Sequence, residues 1–171
     1  MPHSSPWYPQ GAPLHLGVFQ VAYVVHDIQE AQRFFNEMLG GPRFFVIENI
    51  AFKEHTYRGQ RVECHQHVAF GYVGTMQIEL IQQLSGENTV SEFLRQGGYG
   101  VHHLGIQVAD LDRAMHDMTE QGFVPVESGV AGRSTRFAFL DTRAAIGTFI
   151  ELVSLDEDNR ALFEHIRRGD F

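Results

Sequence analysis

Two stretches of this sequence repeat the same order of residue types, and this repeat constrains the fold more than any other feature. The first stretch begins at Gln20 and runs through apolar residues to Asp27, seven positions later. The second begins at His103 and reaches Asp110 over the same distance. An apolar run predicts a β-strand, and an aspartate directly before amphipathic spacing predicts the N-cap of a helix. The repeat therefore predicts two copies of one strand–helix unit.

The two halves also end alike. Gly40 and Gly122 stand where a left-handed residue would end each predicted helix, and strand-like segments follow both. The tripeptide Ile-Glu-Leu occurs in the last of these segments, at residues 78–80 and again at 150–152. The predicted strands cover residues 44–50, 60–72 and 76–82 in the first half, and 124–127, 136–140 and 148–154 in the second. Each half is predicted to be a βαβββ module, which places the chain in the α+β class.

The repeat also sets the predicted domain boundaries. The predicted segments are an N-terminal extension at 1–15, a first βαβββ module at 16–84, a linker at 85–100, a second βαβββ module at 101–155 and a C-terminal helix at 156–171. The linker is predicted to carry a short helix at 90–96, ended by two glycines. The extension is rich in proline and has no apolar run, so it is not predicted to be a signal peptide.

Charge and composition argue against several functional classes. The net charge is −8 and the basic residues are scattered, whereas a nucleic-acid surface needs clustered Lys and Arg. The sequence has no apolar run of about eighteen residues, the length that predicts a membrane span. Cys64 is the only cysteine, so no intrachain disulfide can form. We therefore expect a cytoplasmic protein that binds neither nucleic acid nor membrane.

Four polar residues of the repeat stand within apolar strand segments. Gln20 and His103 open the first strand of each half, and Glu79 and Glu151 lie in the closing strands. Taken singly, each has an ordinary explanation, such as a glutamate on the solvent face of a sheet. Pseudo-twofold packing of the two halves, however, would bring the two carboxylates together, where they would repel each other. A divalent cation removes that conflict, so the sequence predicts one metal site with these four ligands.

The duplicated order of polar residue, apolar strand, Asp-led helix and closing Ile-Glu-Leu strand resembles the vicinal oxygen chelate superfamily. Its strand sequences look most similar to the glyoxalase I and methylmalonyl-CoA epimerase branches. The resemblance implies a cupped, mostly antiparallel sheet around one divalent ion (Zn, Ni, Co, Mn or Fe). The ligands that it implies are Gln20, Glu79, His103 and Glu151. His103 is preferred to His102 because it stands as far before the helix cap as Gln20 does.

The resemblance further implies a reaction class. Enzymes of these branches abstract a proton next to a carbonyl group, so the resemblance implies a lyase or isomerase acting on a small carbonyl metabolite. Glu151 or Glu79 is the predicted base. A ligand set with one histidine is similar to that of eukaryotic glyoxalase I, and it disfavours a dioxygenase, which uses two histidines and a carboxylate.

Two alternatives concern the substrate and the class of protein. No evident cluster of Arg or Lys is available for glutathione or for a CoA thioester, so neither substrate is assigned. A protein of the same fold that only binds or sequesters a small molecule stays an alternative to the enzyme. In either case a homodimer is expected, because small cupped modules leave sheet edges and apolar faces to cover.

Three further residues are candidates for substrate contacts. His65 and His67 alternate in a predicted strand and share one face, which either lines the cup or forms a polar stripe facing solvent. Arg136 opens the matching strand of the second half and is a candidate for binding a carboxylate or phosphate. Most of the fourteen phenylalanines are predicted to pack in the core, and Phe44, Phe45 and Phe52 are the alternative candidates for the wall of an apolar substrate pocket.

Overall fold

The computed structural model describes residues 17–41 and 43–171. The predicted N-terminal extension, residues 1–15, lies outside the described residues. The strands are β1 (Val18–Val24), β2 (Phe45–Ala51), β3 (Lys53–Tyr57), β4 (Gln60–Arg61), β5 (His65–Val73), β6 (Met76–Ser85), β7 (Gly100–Gln107), β8 (Pro125–Ala131), β9 (Thr135–Leu140) and β10 (Phe149–Ser154). The helices are α1 (Ile28–Leu39), α2 (Thr89–Arg95), α3 (Leu111–Glu120), α4 (Arg143–Ile146) and α5 (Glu157–Arg168).

These strands form one curled sheet in the order β2-β5-β6-β1-β7-β10-β9-β8-β3-β4. Its centre is the antiparallel pair of β1 and β7. A parallel partner lies on the outer side of each, β6 beside β1 and β10 beside β7. The other pairings among the described strands are antiparallel. The structure therefore confirms an α+β fold whose sheet is mostly antiparallel and whose two central halves are built alike.

The two aspartates of the repeat cap the two helices that follow them. Each carboxylate accepts the backbone N–H three residues later, at 2.8 Å for Asp27 and 3.0 Å for Asp110. Such bonds satisfy donors that the first turn of a helix cannot pair internally. Gly40 and Gly122 have left-handed φ values of 75° and 88° just beyond the helices. The predicted starts and ends of α1 and α3 are thus confirmed.

The first half contains a hairpin that the sequence does not predict. One strand is predicted over residues 60–72, but this is wrong, because the chain forms β4 and β5 there and adds β3 before them. Arg58 and Gly59 have left-handed φ values of 47° and 77° and form the turn between β3 and β4. β3 then pairs with β8, so this hairpin extends the edge of the second half. The spacing of apolar residues within a segment does not indicate which distant strand that segment will pair with.

The remaining helices connect the halves and close the chain. α2 begins after Asn88, which forms a capping box with Ser91, and it occupies the place of the short helix predicted at 90–96. α5 begins after Asp156, whose carboxylate accepts the N–H of Asn159 at 2.8 Å. The one-turn helix α4 is not predicted from the sequence. None of the helices in the described ranges combines the length and the apolar character needed to cross a membrane.

Candidate metal centre and its cavity

Alternation along the closing strands decides which way the two glutamates point. In β6, Ile78 and Leu80 pack in one buried cluster with the first residue of α1, so Glu79 between them faces the other side of the sheet. In β10, Leu152 packs in a cluster with residues of α3, so Glu151 also faces away from that helix. Both carboxylates therefore lie on the face of the sheet opposite α1 and α3, where they line a cavity.

The strand register places each glutamate beside the polar residue of its own half. Ala22 pairs with Glu79 across the parallel strands β1 and β6. Gly105 pairs with Glu151 across the parallel strands β7 and β10. Gln20 itself pairs with Gln77, and His103 pairs with Phe149. In both halves the glutamate therefore lies two residues after the strand partner of the predicted first-strand ligand. The antiparallel pairing of β1 with β7 then brings the two half-sites together.

The four predicted ligand residues converge on one imidazole nitrogen. His103 Nε2 lies 3.3 Å from Gln20 Oε1 and 3.4 Å from Glu79 Oε2. The same nitrogen lies 3.6 Å from Glu151 Oε2. Gln20, Glu79 and His103 are buried, and Glu151 is partly buried. The structure thus brings together all four residues that the repeat singled out.

A chain of hydrogen bonds turns the Gln20 amide so that its oxygen faces this centre. Its Nε2 donates to Gln77 Oε1 at 2.8 Å, and Gln77 Nε2 donates to the Tyr72 hydroxyl at 2.9 Å. The amide also lies directly over Gly105, where an added Cβ would come within 2.6 Å of Gln20 Oε1. Only glycine leaves room for the amide there, so the position of the oxygen depends on residues of both halves.

A neighbouring histidine orients the imidazole of His103. The pairing of β7 with β1 skips His102, and this β-bulge allows its ring to reach that of His103. The two Nδ1 atoms lie 3.0 Å apart, so one of them donates to the other. When His103 Nε2 carries its proton, it donates to Gln20 Oε1; when Nδ1 carries it instead, Nε2 has a free lone pair directed at the space between the proposed ligands, as metal binding requires. Burial lowers the pKa of His103 to about 3, so the imidazole is neutral at neutral pH.

The two glutamates are consequently left without a cationic partner. Burial raises the pKa of Glu79 to about 8. Burial, together with the charges of Glu79 and Glu127, raises the pKa of Glu151 well above its usual value. Buried carboxylates that repel one another without a positive side chain to compensate them are characteristic of functional sites rather than of stabilising cores.

The donor set suits a divalent metal ion. It offers one imidazole nitrogen, one amide oxygen and two carboxylates, a mixture that zinc and the neighbouring transition metals bind. The amide and carboxylate oxygens lie at non-bonded distances from His103 Nε2. Within residues 17–41 and 43–171 no group of three or more His, Cys, Asp or Glu side chains is arranged closely enough to hold a metal ion as it stands. The fit rests on the chemistry and convergence of the donors, and on the buried negative charge that a cation would compensate.

These four residues occupy part of the wall of a cavity of about 370 Å³. Both halves of the sheet, the loop before α2 and helix α5 contribute to it. The polar residues that line it are Gln20, Gln66, Glu79, Asn88, Thr89, His103, Glu127, Thr135, Glu151 and Asn159. Of the three phenylalanine candidates for an apolar wall, Phe52 lines it, whereas Phe44 and Phe45 pack in hydrophobic clusters and do not. The described lining residues include three glutamates and neither Lys nor Arg.

The third glutamate, Glu127 of β8, was not among the predicted site residues. Its Oε1 lies 2.8 Å from His55 Nε2, and its Oε2 accepts the backbone N–H of Thr89 at 2.8 Å. His55 Nδ1 in turn lies 3.5 Å from the buried Cys64 sulfur. The carboxylate is thus held in one position at the cavity wall. A glutamate at the end of an apolar strand is the signal that could have identified it, but the repeat does not pair it with another residue.

The three predicted substrate-contacting residues lie elsewhere. Gln66 and Val68 of β5 line the cavity, so His65 and His67, which alternate with them, point to the other face of the strand. His67 Nδ1 accepts a backbone N–H there, and the His65 ring lies near an exposed glutamate. Arg136 makes a two-point ion pair with an exposed aspartate of α3, at 2.7 and 2.8 Å. The structure does not bring these three side chains to the cavity.

Comparisons with known proteins agree with this architecture. The chain is 25% identical to the mitochondrial methylmalonyl-CoA epimerase of Bos taurus over 135 residues. This aligned region covers 77% of this chain and 70% of the relative. The chain is also 28% identical over 120 residues to a 2-epi-5-epi-valiolone epimerase of Actinomyces sp, which covers 68% and 65% of the two chains. The crystal structure of methylmalonyl-CoA epimerase from Mycobacterium tuberculosis has the same fold, with a TM-score of 0.62 at 22% identity, covering 91% of this chain and 97% of the other.

The sequence profile of the Glyoxalase/Bleomycin resistance protein/Dioxygenase superfamily matches residues 19–139. That match spans both strand–helix units of the repeat and extends into β9. It also includes three of the four converging side chains, Gln20, Glu79 and His103. The chain belongs to the glyoxalase, bleomycin resistance protein and dioxygenase superfamily, that is, to the vicinal oxygen chelate fold.

Proposed function

We propose that this protein is a divalent-metal-dependent isomerase or lyase that abstracts a proton next to the carbonyl group of a small metabolite. The observation that carries the proposal is the convergence of Gln20, Glu79 and Glu151 on His103 Nε2 at the wall of a cavity. Relatives named as epimerases support the isomerase class, because an epimerase inverts one carbon centre. The four residues would hold the metal, and the cavity would hold the substrate beside it.

Glu151 is the residue that we assign as the base. It is less buried than Glu79, and its side chain lines the cavity. Burial and the neighbouring glutamates raise its pKa in the metal-free chain, and a bound cation would lower it again, so the assignment rests on its place at the cavity. A bound divalent cation would supply Lewis-acid stabilisation of the negative charge that develops on the carbonyl oxygen. Glu79, whose pKa is also raised by burial, is the alternative base.

Glu127 adds a second acid–base group from another strand. His55 and the Thr89 N–H hold its two oxygens, so the carboxylate keeps a fixed direction at the cavity wall. An epimerase has to remove a proton from one side of a carbon and return one to the other side. Two carboxylates on separate strands, Glu151 on β10 and Glu127 on β8, provide two positions for these transfers. This favours an isomerase over a lyase.

Metal content and isotope exchange test the proposal together. Protein purified with each of Zn, Ni, Co, Mn and Fe present is analysed for bound metal, and carbonyl compounds are followed by NMR for metal-dependent exchange of the adjacent C–H in deuterated water. We expect one equivalent of metal and exchange that a chelator abolishes. Glu151→Gln is expected to lose exchange more completely than metal, whereas Glu63→Gln, an exposed glutamate, changes neither. Equal loss of metal and exchange in Glu151→Gln would make this residue a ligand and not the base.

A protein that only binds a small molecule is the second candidate, and the largely apolar cavity favours it. Its signature would be ligand binding without bound metal and without exchange at any carbonyl compound in the set. That result would overturn the proposed enzyme while leaving the cavity as the functional site.

A further inference from the structure

Aromatic rings form a large part of the apolar wall of the cavity. Six phenylalanines line it, contributed by β1, the β2–β3 connection, β5, β9 and α5; they are Phe19, Phe52, Phe70, Phe137, Phe139 and Phe163. Several of these rings pack edge to face, with centroids 4.9 Å apart for Phe52 and Phe137 and 5.8 Å for Phe137 and Phe139. Packed rings of this kind form a rigid surface that suits an apolar ligand.

The charge of the cavity excludes a polyanionic ligand from its interior. Glu79, Glu127 and Glu151 all line it, and the described lining residues offer no Lys or Arg. Phosphate and carboxylate groups are recognised in proteins by Arg, Lys or helix N-termini. One divalent cation would compensate about two of the three carboxylates, which leaves no surplus positive charge for several anionic groups of a ligand.

The size of the cavity sets a further limit. Its volume of about 370 Å³ corresponds to roughly a dozen water molecules at about 30 Å³ each, which is at the small end of the range for ligand pockets. Asn159 and Phe163 of α5 line one side of it, and Phe163 packs against Phe70 of β5 with centroids 5.1 Å apart. The C-terminal helix therefore forms part of the wall and reduces the space for a long ligand.

We infer that the ligand is a compact molecule with an aromatic or branched apolar body and its oxygen atoms at one end, and that it is neither a CoA thioester nor a glutathione adduct. The inference deepens the proposed function and rests on it only for the position of the oxygen atoms, next to Gln20, Glu79, His103 and Glu151. The apolar body lies against the phenylalanine wall. This assignment departs from the substrate named for the methylmalonyl-CoA epimerases to which the chain is similar.

A graded set of 2-oxo acids tests the inference by calorimetric titration of the full-length, metal-replete protein. The probes are pyruvate, 4-methyl-2-oxopentanoate and phenylpyruvate, with methylmalonyl-CoA as the polyanionic comparison. Because the three acids share one oxygen-bearing end, differences among them report the apolar body alone. We expect affinity to increase by about tenfold or more from pyruvate to phenylpyruvate. Binding of the thioester as tightly as phenylpyruvate, or equal binding of the three acids, would overturn the inference.

Variants of the wall locate the binding. Phe163→Ala is expected to weaken phenylpyruvate binding about tenfold or more, because its ring is lost from the wall. Leu162→Ala is the matched control, since Leu162 packs in the same helix and the same apolar cluster but does not line the cavity. Ile50→Trp is a second test of the location, for use if Phe163→Ala does not fold. It adds a larger side chain at a partly buried lining position of β2, so it should fill the cavity and abolish binding. Unchanged binding in both wall variants would refute this location.

The isotope-exchange assay separates the two claims. If the aromatic acid binds with the expected response to the wall variants but no probe exchanges its C–H, the proposed function fails and the inference about the ligand body stands. If exchange occurs only with the CoA thioester, the inference fails and the proposed function stands.

Discussion

Removing metal should leave a contribution of Glu79 to the stability of this protein that falls as the pH rises. Burial raises the pKa of this carboxyl from 4.5 to about 8 in the folded chain. A group whose pKa is higher in the folded state binds its proton more tightly there, so its contribution to stability is fully present below about pH 4.5. That contribution is lost as the pH rises from 4.5 through about 8. This contribution is measured as the difference in stability between the chelated parent protein and chelated Glu79→Gln, because burial lowers the pKa of His102 and His103 to about 3 and these two imidazoles stabilise the folded chain increasingly as the pH rises from 5 to 7. Relative to Glu79→Gln, the chelated parent protein is expected to be less stable at pH 7 than at pH 5.

The magnitude follows from the width of this window. At about 1.36 kcal/mol for each pKa unit, the whole interval corresponds to at most about 5 kcal/mol, and the part between about pH 5 and 7 to roughly 2–3 kcal/mol. For a chain of this length, 1 kcal/mol shifts the Tm by about 2–4 °C, so the expected decrease is roughly 5–10 °C. Glu79 is only 9% exposed, so solvent screening reduces this figure little.

Thermal unfolding of chelated protein, followed by circular dichroism between pH 5 and 8, measures the effect. Glu79→Gln keeps the shape of the side chain and removes the ionisable group, while Glu151, His102 and His103 are present in both proteins. The Tm of the parent protein minus that of this variant should therefore fall by the stated amount between pH 5 and pH 7. Glu63→Gln, whose carboxylate is 85% exposed, is the control and should follow the parent protein. A Tm difference between the parent protein and Glu79→Gln that stays constant or increases with pH would refute the reasoning.

Three further outcomes are expected. Gly105→Ala places a methyl group within 2.6 Å of the Gln20 amide oxygen and forces that side chain to move, so metal affinity measured by competition with a chelator should fall about 10–100-fold while the fold persists; an unchanged affinity would show that Gln20 is not a ligand. His55→Ala leaves the Glu127 carboxylate buried without its 2.8 Å partner, so urea unfolding should show a loss of about 3–5 kcal/mol, against less than about 1 kcal/mol for Arg136→Ala, which breaks an exposed pair; equal losses would contradict this. Asp156→Ala removes the carboxylate that caps α5 and should lower the free energy of unfolding by about 1 kcal/mol, which the same urea titration checks.

The sequence was informative where the repeat supplied two independent copies of one pattern. A glutamate between two apolar residues in a strand is ambiguous, but two of them at matching positions identified Glu79 and Glu151 as a pair. The same comparison selected His103 over His102, and in the structure it is His103 Nε2 that faces the glutamates. The register of the parallel strands is identical in the two halves. Counting sequence positions from one half to the other was therefore sufficient to match the polar residues of the two copies.

The features that the sequence did not indicate depend on contacts between distant segments. The β3–β4 hairpin belongs to the first half but pairs with β8 of the second, and this pairing brings His55 to Glu127. Cavity-lining phenylalanines and core phenylalanines have the same periodicity, so Phe52 and Phe137 could not be distinguished from packing residues. His65 and His67 were assigned to a shared face correctly, but only the buried neighbours Gln66 and Val68 show that the other face of β5 lines the cavity.

The two halves offer different proposed metal ligands, and the residue beside each of these ligands differs as well. Gln20 pairs in register with Gln77, whereas His103 pairs with Phe149. An amide needs a partner for its N–H groups, and Gln77 accepts one of them while its own amide bonds to Tyr72. An imidazole needs a partner only at Nδ1, and His102 provides it across the β-bulge, so the position beside it is free for an aromatic ring. The repeat therefore preserves the backbone positions of the ligands, while the residue next to each first-strand ligand is matched to its hydrogen-bonding needs.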